Sequence, residues 1–254
     1  MKLATWNVNS LRVRIEHVLA WSAQARPTLL ALQETKVADD AFPAEALTAA
    51  GWNVLHAGQP AYNGVAMLGA EPMELLANAL PDFADEQRRL IAVRMGEAAV
   101  VNVYVPNGQA VGTDKYHYKL EWLTALTEYL RRLLAEYEQV AVMGDFNIAP
   151  EDRDVHDPAA WEGSVLVSEA EREAFRTLLG LGLSDSFRQF DQPEQSYSWW
   201  DYRQAGFRRN LGLRIDHILM SPALTERCRA VHIDTEPRGW QRPSDHAPVM
   251  AEIE

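Results

Sequence analysis

The sequence predicts an α/β fold in which mixed, largely antiparallel sheets pack together and are covered by helices. Apolar runs of strand length recur along the chain and end near Asn7, Leu32, Leu55, Leu68, Val93, Val105, Met143, Met220, Ile233 and Ile253. Helical patterns are few and fall between these runs. Hairpin-like pairs of runs dominate the first hundred residues, which favours antiparallel neighbours over a regular strand–helix alternation.

The elements follow in order. Val100–Val105 and Val140–Met143 are rich in β-branched residues and bounded by turn formers, so both read as buried strands. Ser10 is placed to cap a helix running to about Gln24 and stopped by Pro27. Ala44 to Ala50 reads as a short helix ended by Gly51. The strongest helical pattern follows Asp114, read as its N-cap. Its apolar stripe is Tyr116, Leu120, Leu123, Leu126, Leu130, Leu133 or Leu134, and Tyr137, at spacings of three and four. Ser168-Glu169-Ala170-Glu171 is a capping box opening a helix that stops at Gly180-Leu181-Gly182.

At 254 residues, with 47% hydrophobic and 24% charged residues, the chain suits one large domain spanning 1–254, and no repeat or linker suggests a split. A chain of this size buries roughly three quarters of its unfolded surface. Cys228 is the only cysteine, which excludes an internal disulfide and a thiolate zinc site. The opening Met1–Trp6 is too short and too soon polar for a signal peptide, and no apolar run has membrane-spanning length. A cytoplasmic protein, probing no membrane, is expected. The net charge of −12 argues against a general nucleic-acid binder. Trp200 to Met250, however, carries eight Arg and no Lys against six Asp/Glu, a net +2, so a basic rim is compatible with an acidic whole.

The chemistry-bearing residues sit at the ends of apolar runs, where a carboxylate or carboxamide is costly unless something binds it. Asp145 and Asn147 lie two apart after a buried strand. If the backbone stays extended they share a face and can handle a water, a metal or a phosphate oxygen; the alternative is a plain turn. Glu34 follows the apolar Leu29–Gln33, which points to a metal ligand or to a salt bridge with Lys36 or Arg12. Asn7 ends the first strand similarly, with a turn through Asn9 and Ser10 as the alternative. Asp216 interrupts the run Leu213–Leu219, opposite its period-2 face of Leu213, Ile215, His217 and Leu219, and Asp245-His246 lies between Pro243 and Pro248. A histidine oriented by a buried carboxylate is a general acid–base or phosphate-contacting pair. His56, His117, His156 and His232 have nothing comparable beside them and read as structural. In Tyr197–Arg203, two adjacent tryptophans cannot both face inward on a strand. One, with Arg203, Arg208, Arg209 and Arg214 nearby, is placed to stack on a sugar or base.

Together these segments resemble the exonuclease III family of apurinic/apyrimidinic (AP) endonucleases, within the endonuclease/exonuclease/phosphatase superfamily. The similarity runs in order from Met1 to Glu254. It comprises Thr-Trp-Asn-Val-Asn, Leu32–Lys36, Asn63–Ala66, Asn102–Gly108, Gly144–Asn147, Gly212–Asp216 and Pro243–Pro248. The resemblance implies a four-layer α/β/β/α sandwich with the site at one edge. It implies a metal-dependent DNA-repair phosphodiesterase that cleaves 5′ to abasic sites, or removes nucleotides and blocking groups from 3′ ends of duplex DNA, and acts as a monomer. Glu34 and Asn7 would bind Mg²⁺ or Mn²⁺, one or two ions, with Asp145, Asn147 and His246 also in reach and Asp245 serving a second metal position. Asp145 would deprotonate the attacking water, Asn147 and Tyr104 would hold the scissile phosphate, and His246, positioned by Asp216, would contact a non-bridging oxygen. Trp199, Leu213 and Ile215 would form the abasic pocket, with Arg203 beside it. Asn107 stands where the bacterial prototype has glutamine. The loop from Pro150 to Val167, with His156 and Trp161, lies where the balance between AP-endonuclease and 3′-exonuclease activity can be set. A superfamily enzyme acting on inositol phosphates or sphingolipids is the alternative, and a binding module that has lost its chemistry is a third; intact Glu34, Asp145, Asn147, Asp216 and His246 argue against the last.

Overall fold

The computed structural model describes residues 1–254. In chain order its strands are β1 (Lys2–Asn7), β2 (Leu29–Gln33), β3 (Asn53–Ala57), β4 (Val65–Gly69), β5 (Glu74–Ala77), β6 (Leu90–Met95) and β7 (Ala98–Tyr104), then β8 (Gln139–Asp145), β9 (Ser184–Asp185), β10 (Trp199–Trp200), β11 (Gly212–Leu213), β12 (Asp216–Met220), β13 (Cys228–Ile233) and β14 (Val249–Ile253). The helices are α1 (Leu11–Ala25), α2 (Ala44–Ala49), α3 (Asp114–Glu136), α4 (Pro158–Trp161), α5 (Glu169–Leu179) and α6 (Pro222–Thr225).

Two six-stranded sheets stack face to face, in the orders β13-β14-β1-β2-β4-β3 and β5-β6-β7-β8-β12-β9. Each contains one parallel pair, β1 with β2 and β7 with β8, and is otherwise antiparallel. Period-2 alternation sorts each strand's side chains. Leu3, Leu29, Ala31, Val100, Met143 and Ile218 fill the space between the sheets. Ala4, Trp6, Leu30 and Leu32 point the other way onto α1 and α2, against Val18, Trp21 and Leu47. Val101, Val103, Val142 and Leu219 face α3 and α5 through Leu123, Leu126, Leu130 and Phe175. The result is helix, sheet, sheet, helix, the predicted four layers.

Local expectations fared differently. The Ser168 capping box forms, with its hydroxyl accepting from the Glu171 amide and Glu171 bonding back to the Ser168 amide. Ser10 occupies the N-cap of α1 but makes no capping bond, because its φ of 91° turns it into the pairing of residues 8–11 with residues 33–35. Thr113, not Asp114, caps α3 by accepting from the Tyr116 amide. Leu213 and Ile215 do not share a face with His217 and Leu219. The chain breaks at Arg214–Ile215, and Leu213 pairs with Trp199 in a separate two-stranded ribbon.

The topology positions the site. The parallel pairs bring the C-terminal ends of β1, β2, β7 and β8 to one edge, and antiparallel β12 starts there. Tyr104, Asp145 and Asp216 are therefore register partners across three adjacent strands. Gly144 is needed for that approach: at φ 151° a Cβ would lie 1.9 Å from the Val103 carbonyl oxygen.

Candidate active site

Asn7 is the central hydrogen-bonding group of the edge. Its Nδ2 donates at 2.9 Å to Glu34 Oε1 on the first sheet and at 2.9 Å to Asp145 Oδ2 on the second. Its Oδ1 accepts from the Asn9 amide at 3.0 Å, so the turn and the site are one structure. Glu34 follows β2 in the left-handed region, φ 50°, which lifts its carboxylate toward Asp145. It also meets the expected salt-bridge partner, Lys36 Nζ, at 2.9 Å. Asp145 and Asn147 do not lie on one extended face. Asn147 has φ 51°, and its amide donates to Asp145 Oδ1 at 2.9 Å in a tight turn. That turn aims the Asn147 carboxamide back across the site, where Nδ2 donates to the Val105 carbonyl at 2.9 Å and Oδ1 accepts from Asn107 Nδ2 at 3.2 Å.

His246 is almost fully buried. Its Nδ1 lies 2.8 Å from Asp216 Oδ2 and its Nε2 lies 3.7 Å from Asp145 Oδ2. Asp216 can only accept here, so Nδ1 carries a proton. The Ser198 hydroxyl also donates to Asp216 Oδ2, at 2.7 Å, which fixes the carboxylate. Burial opposes charge on the imidazole, but Asp216 and then Asp145 outweigh it and push His246 up to about 10. Burial raises the Asp145 carboxyl to about 7, partly offset by His246 and reinforced by Asp216. Burial also holds the Tyr104 hydroxyl well above its ordinary range, aided by the charges of Glu34 and Asp145, so Tyr104 stays a proton donor. Arg89 covers its ring, 4.7 Å from guanidinium carbon to centroid.

A ligand atom of each of Glu34, Asp145 and His246 lies within 4.8 Å of the others. Two carboxylates converging on one point, one of them fully buried, suit a hard cation that takes oxygen ligands. Asp245 stands outside this group. Its carboxylate accepts from Asn9 Nδ2 at 2.9 Å and from Trp199 Nε1 at 3.1 Å, and these bonds, with His246, hold it below the usual carboxylate range despite burial.

The family model for the endonuclease/exonuclease/phosphatase family matches residues 4–246. The chain belongs to that family. Within it, exodeoxyribonuclease III of Haemophilus influenzae is 36% identical, with all of both chains covered. The structure of a 3′ phosphatase from Neisseria bound to a product DNA hairpin superposes with TM-score 0.95 at 46% identity, over 100% of this chain and 99% of that one. An AP endonuclease from Archaeoglobus fulgidus superposes with TM-score 0.96 at 36% identity, over 100% and 99%. These relatives place the chain in the exonuclease III branch of the family.

The expected specificity residues separate. Trp199 is half-buried and, with Arg203, His156 and Trp161, lines an open cavity of about 270 Å³ beside Asp245. Leu213 and Ile215 do not line it. Both are buried behind Trp199 against Val155, Leu166 and Val167 of the 150–167 loop, and Val155 bridges directly to Leu213. Trp200 is buried as expected, edge-on to Phe207 at 5.1 Å. His156 stands edge-on to Trp161 at the cavity wall, with Nδ1 3.2 Å from the Gly212 carbonyl.

Three supporting residues escaped the sequence reading. Asn9 ties Asp245 to Lys36, which donates to Asn9 Oδ1 at 2.6 Å. Ser198 fixes Asp216. Lys119 is fully buried on α3, pairs with Glu171, and donates to the Asn147 carbonyl at 2.7 Å and the Asn107 carbonyl at 3.2 Å. A lysine three residues from both Tyr116 and Trp122, inside the apolar stripe, was the available signal.

Proposed function

We propose that this protein is a metal-dependent DNA-repair phosphodiesterase acting on duplex DNA, at 3′ ends and at abasic sites. The convergence of Glu34, Asp145 and His246 within 4.8 Å, faced by Asn147 and Tyr104, carries the reading. The relatives' activities and the DNA-bound Neisseria structure support it. No helix is long and apolar enough to cross a membrane.

Glu34 and Asp145 would hold the divalent cation, with Asn7 aligning both carboxylates and Mg²⁺ or Mn²⁺ suiting the oxygen donors. When bound, the cation supplies Lewis-acid stabilisation of negative charge on phosphate and leaving-group oxygens. Asp145 would accept the proton of the attacking water, its Oδ1 fixed by the Asn147 amide and its Oδ2 by Asn7. The water oxygen would attack phosphorus as the bond from phosphorus to the 3′-oxygen breaks, and the leaving 3′-oxygen would take a proton from solvent to become a 3′-hydroxyl. His246, charged and fixed by Asp216, donates to a non-bridging oxygen, as do Asn147 and the protonated Tyr104 while charge builds.

Insertion of a baseless sugar against Leu213 and Ile215 requires Val155 to move aside, so 3′-end processing is expected to exceed incision at abasic sites. One gel tests the whole reading. A duplex with one abasic site, a recessed 3′ end and a 3′-phosphate end are each incubated with Mg²⁺ and with EDTA, beside an inositol phosphate. Metal-dependent DNA products are expected; hydrolysis of the inositol phosphate alone would replace this reading with the alternative.

A further inference from the structure

The space between the sheets is apolar except for one row. Thr5, Gln33 and Asn102 are each fully buried there, and each stands directly behind the site: Thr5 two residues before Asn7, Gln33 next to Glu34, Asn102 two before Tyr104. They are linked. Gln33 Nε2 donates at 2.8 Å to Thr5 Oγ1 on the neighbouring strand and at 2.8 Å to Asn102 Oδ1 on the opposite sheet. Asn102 Nδ2 then donates at 2.9 Å to the carbonyls of both Leu32 and Ala66, which face each other across β2 and β4. One side chain of the second sheet is thus fastened at three points to the first.

Two carboxamides buried in this layer cost free energy that leucine or valine would not. Apolar packing between sheets is also non-directional and tolerates small slides, whereas hydrogen bonds fix distance and direction. The split of the site makes this matter, because Asn7 and Glu34 belong to the first sheet and Asp145 to the second. We infer that Gln33 and Asn102 are positioning residues: an inter-sheet clamp that sets the separation of Glu34 from Asp145 and thereby the affinity for the divalent cation. The inference rests on the reading that those two carboxylates hold the ion.

The test is Mn²⁺ binding by titration calorimetry without DNA, alongside melting temperature. Asn102→Leu removes one of the two acceptors of Gln33 Nε2 and the side-chain donor to the Leu32 and Ala66 carbonyls, so it should lower both melting temperature and affinity. The double variant Gln33→Met/Asn102→Leu removes both carboxamides, so no buried amide is left half-paired, and should recover part of the melting temperature. Its Mn²⁺ affinity should stay about 10-fold or more below the parent's, the scale of groups that orient metal ligands. Excess Mn²⁺ should restore part of its incision rate. Thr5→Val cuts only a bond within the first sheet and should bind as the parent does. Should the leucine variants not fold, Gln33→Met severs one crossing bond and is read the same way against Thr5→Val. A folded double variant, or Gln33→Met, with the parent's Mn²⁺ affinity overturns the clamp. A parent that binds no Mn²⁺ overturns the underlying metal reading instead.

Discussion

Asp145 and His246 face each other at 3.7 Å with Asp216 behind the imidazole, and the proposed mechanism gives each a different task. Asp145→Asn keeps the shape and the bond from Asn7 only if the carboxamide oxygen takes that position, but it removes the proton acceptor. His246→Ala removes a charged donor. Each should lower kcat by at least about 10²-fold while duplex binding persists. Loss of folding together with activity, seen by circular dichroism, would instead make them structural groups. The two tryptophans divide more sharply. Trp199 is half-buried at the cavity and holds Asp245, whereas Trp200 is packed against Tyr197, Phe207 and Ala247. Trp199→Ala should lower abasic-site incision by about 1–3 kcal/mol of transition-state stabilisation with little change in stability. Trp200→Ala should cost roughly 3–5 kcal/mol of folding free energy, as a large core truncation does. Melting temperatures and cleavage rates of both variants decide it. An unstable, fully active Trp199→Ala would mean the two faces of the strand are assigned the wrong way round.

At the scale of elements, the segment from Gly212 to Met220 shows what the sequence made legible and what it hid. Alternation identified β12, and the Arg-Ile-Asp signature identified Asp216. The break at Arg214–Ile215 was invisible because it is set by a distant partner. Arg214 is buried, with Nε 2.7 Å from Asp154 Oδ1 and Nη2 2.7 Å from Asp185 Oδ2, and its amide donates to the Asp154 carbonyl. Asp154 lies in the loop whose Val155 covers Leu213, so tertiary ion pairing overrides the local strand pattern. The burial of Lys119, paired with Glu171 of α5, was missed for the same reason, whereas at α3 two capping residues stand side by side and it is Thr113 that accepts from the Tyr116 amide. Arg214 also fixes His217. A guanidinium can only donate, so His217 Nδ1 accepts from it at 3.0 Å and Nε2 donates to the Ile148 carbonyl at 2.8 Å. The ring is therefore neutral, lowered to about 4 by burial and then by Arg214. As pH falls below the ordinary histidine value of about 6.5, the unfolded chain takes up this proton first. The associated stability is full above about 6.5 and is lost as pH falls toward 4, on the order of 2–3 kcal/mol. Denaturant midpoints between pH 7 and 4.5 should fall more steeply for the parent than for His217→Gln. Parallel curves would mean that His217 is not held neutral.

For the whole molecule, the site is a seam. Glu34 and Asn7 come from one sheet, Asp145 and Asp216 from the other, and the apolar core between them ends where these groups begin. Asp145, Asp216 and Asp245 gather around one histidine, with Glu34 beside them, in a chain whose net charge is already −12. On the proposed reading, a divalent ion held by Glu34 and Asp145 would offset that concentration of charge. It would bind the folded protein and find no such site in the unfolded chain, so it would stabilise the fold. At about 100 times its dissociation constant the gain is about 2.7 kcal/mol. For a chain of this length that corresponds to a rise in melting temperature of roughly 5–10 °C. The rise should appear with Mn²⁺ or Mg²⁺ in the absence of DNA and vanish on adding EDTA. Glu34→Ala should need far more metal for the same shift, and excess Mg²⁺ should restore part of its activity, because a lost ligand weakens affinity before it abolishes chemistry. A melting curve indifferent to metal in the parent, or a Glu34→Ala protein with the parent's metal dependence, would move the ion elsewhere in the molecule.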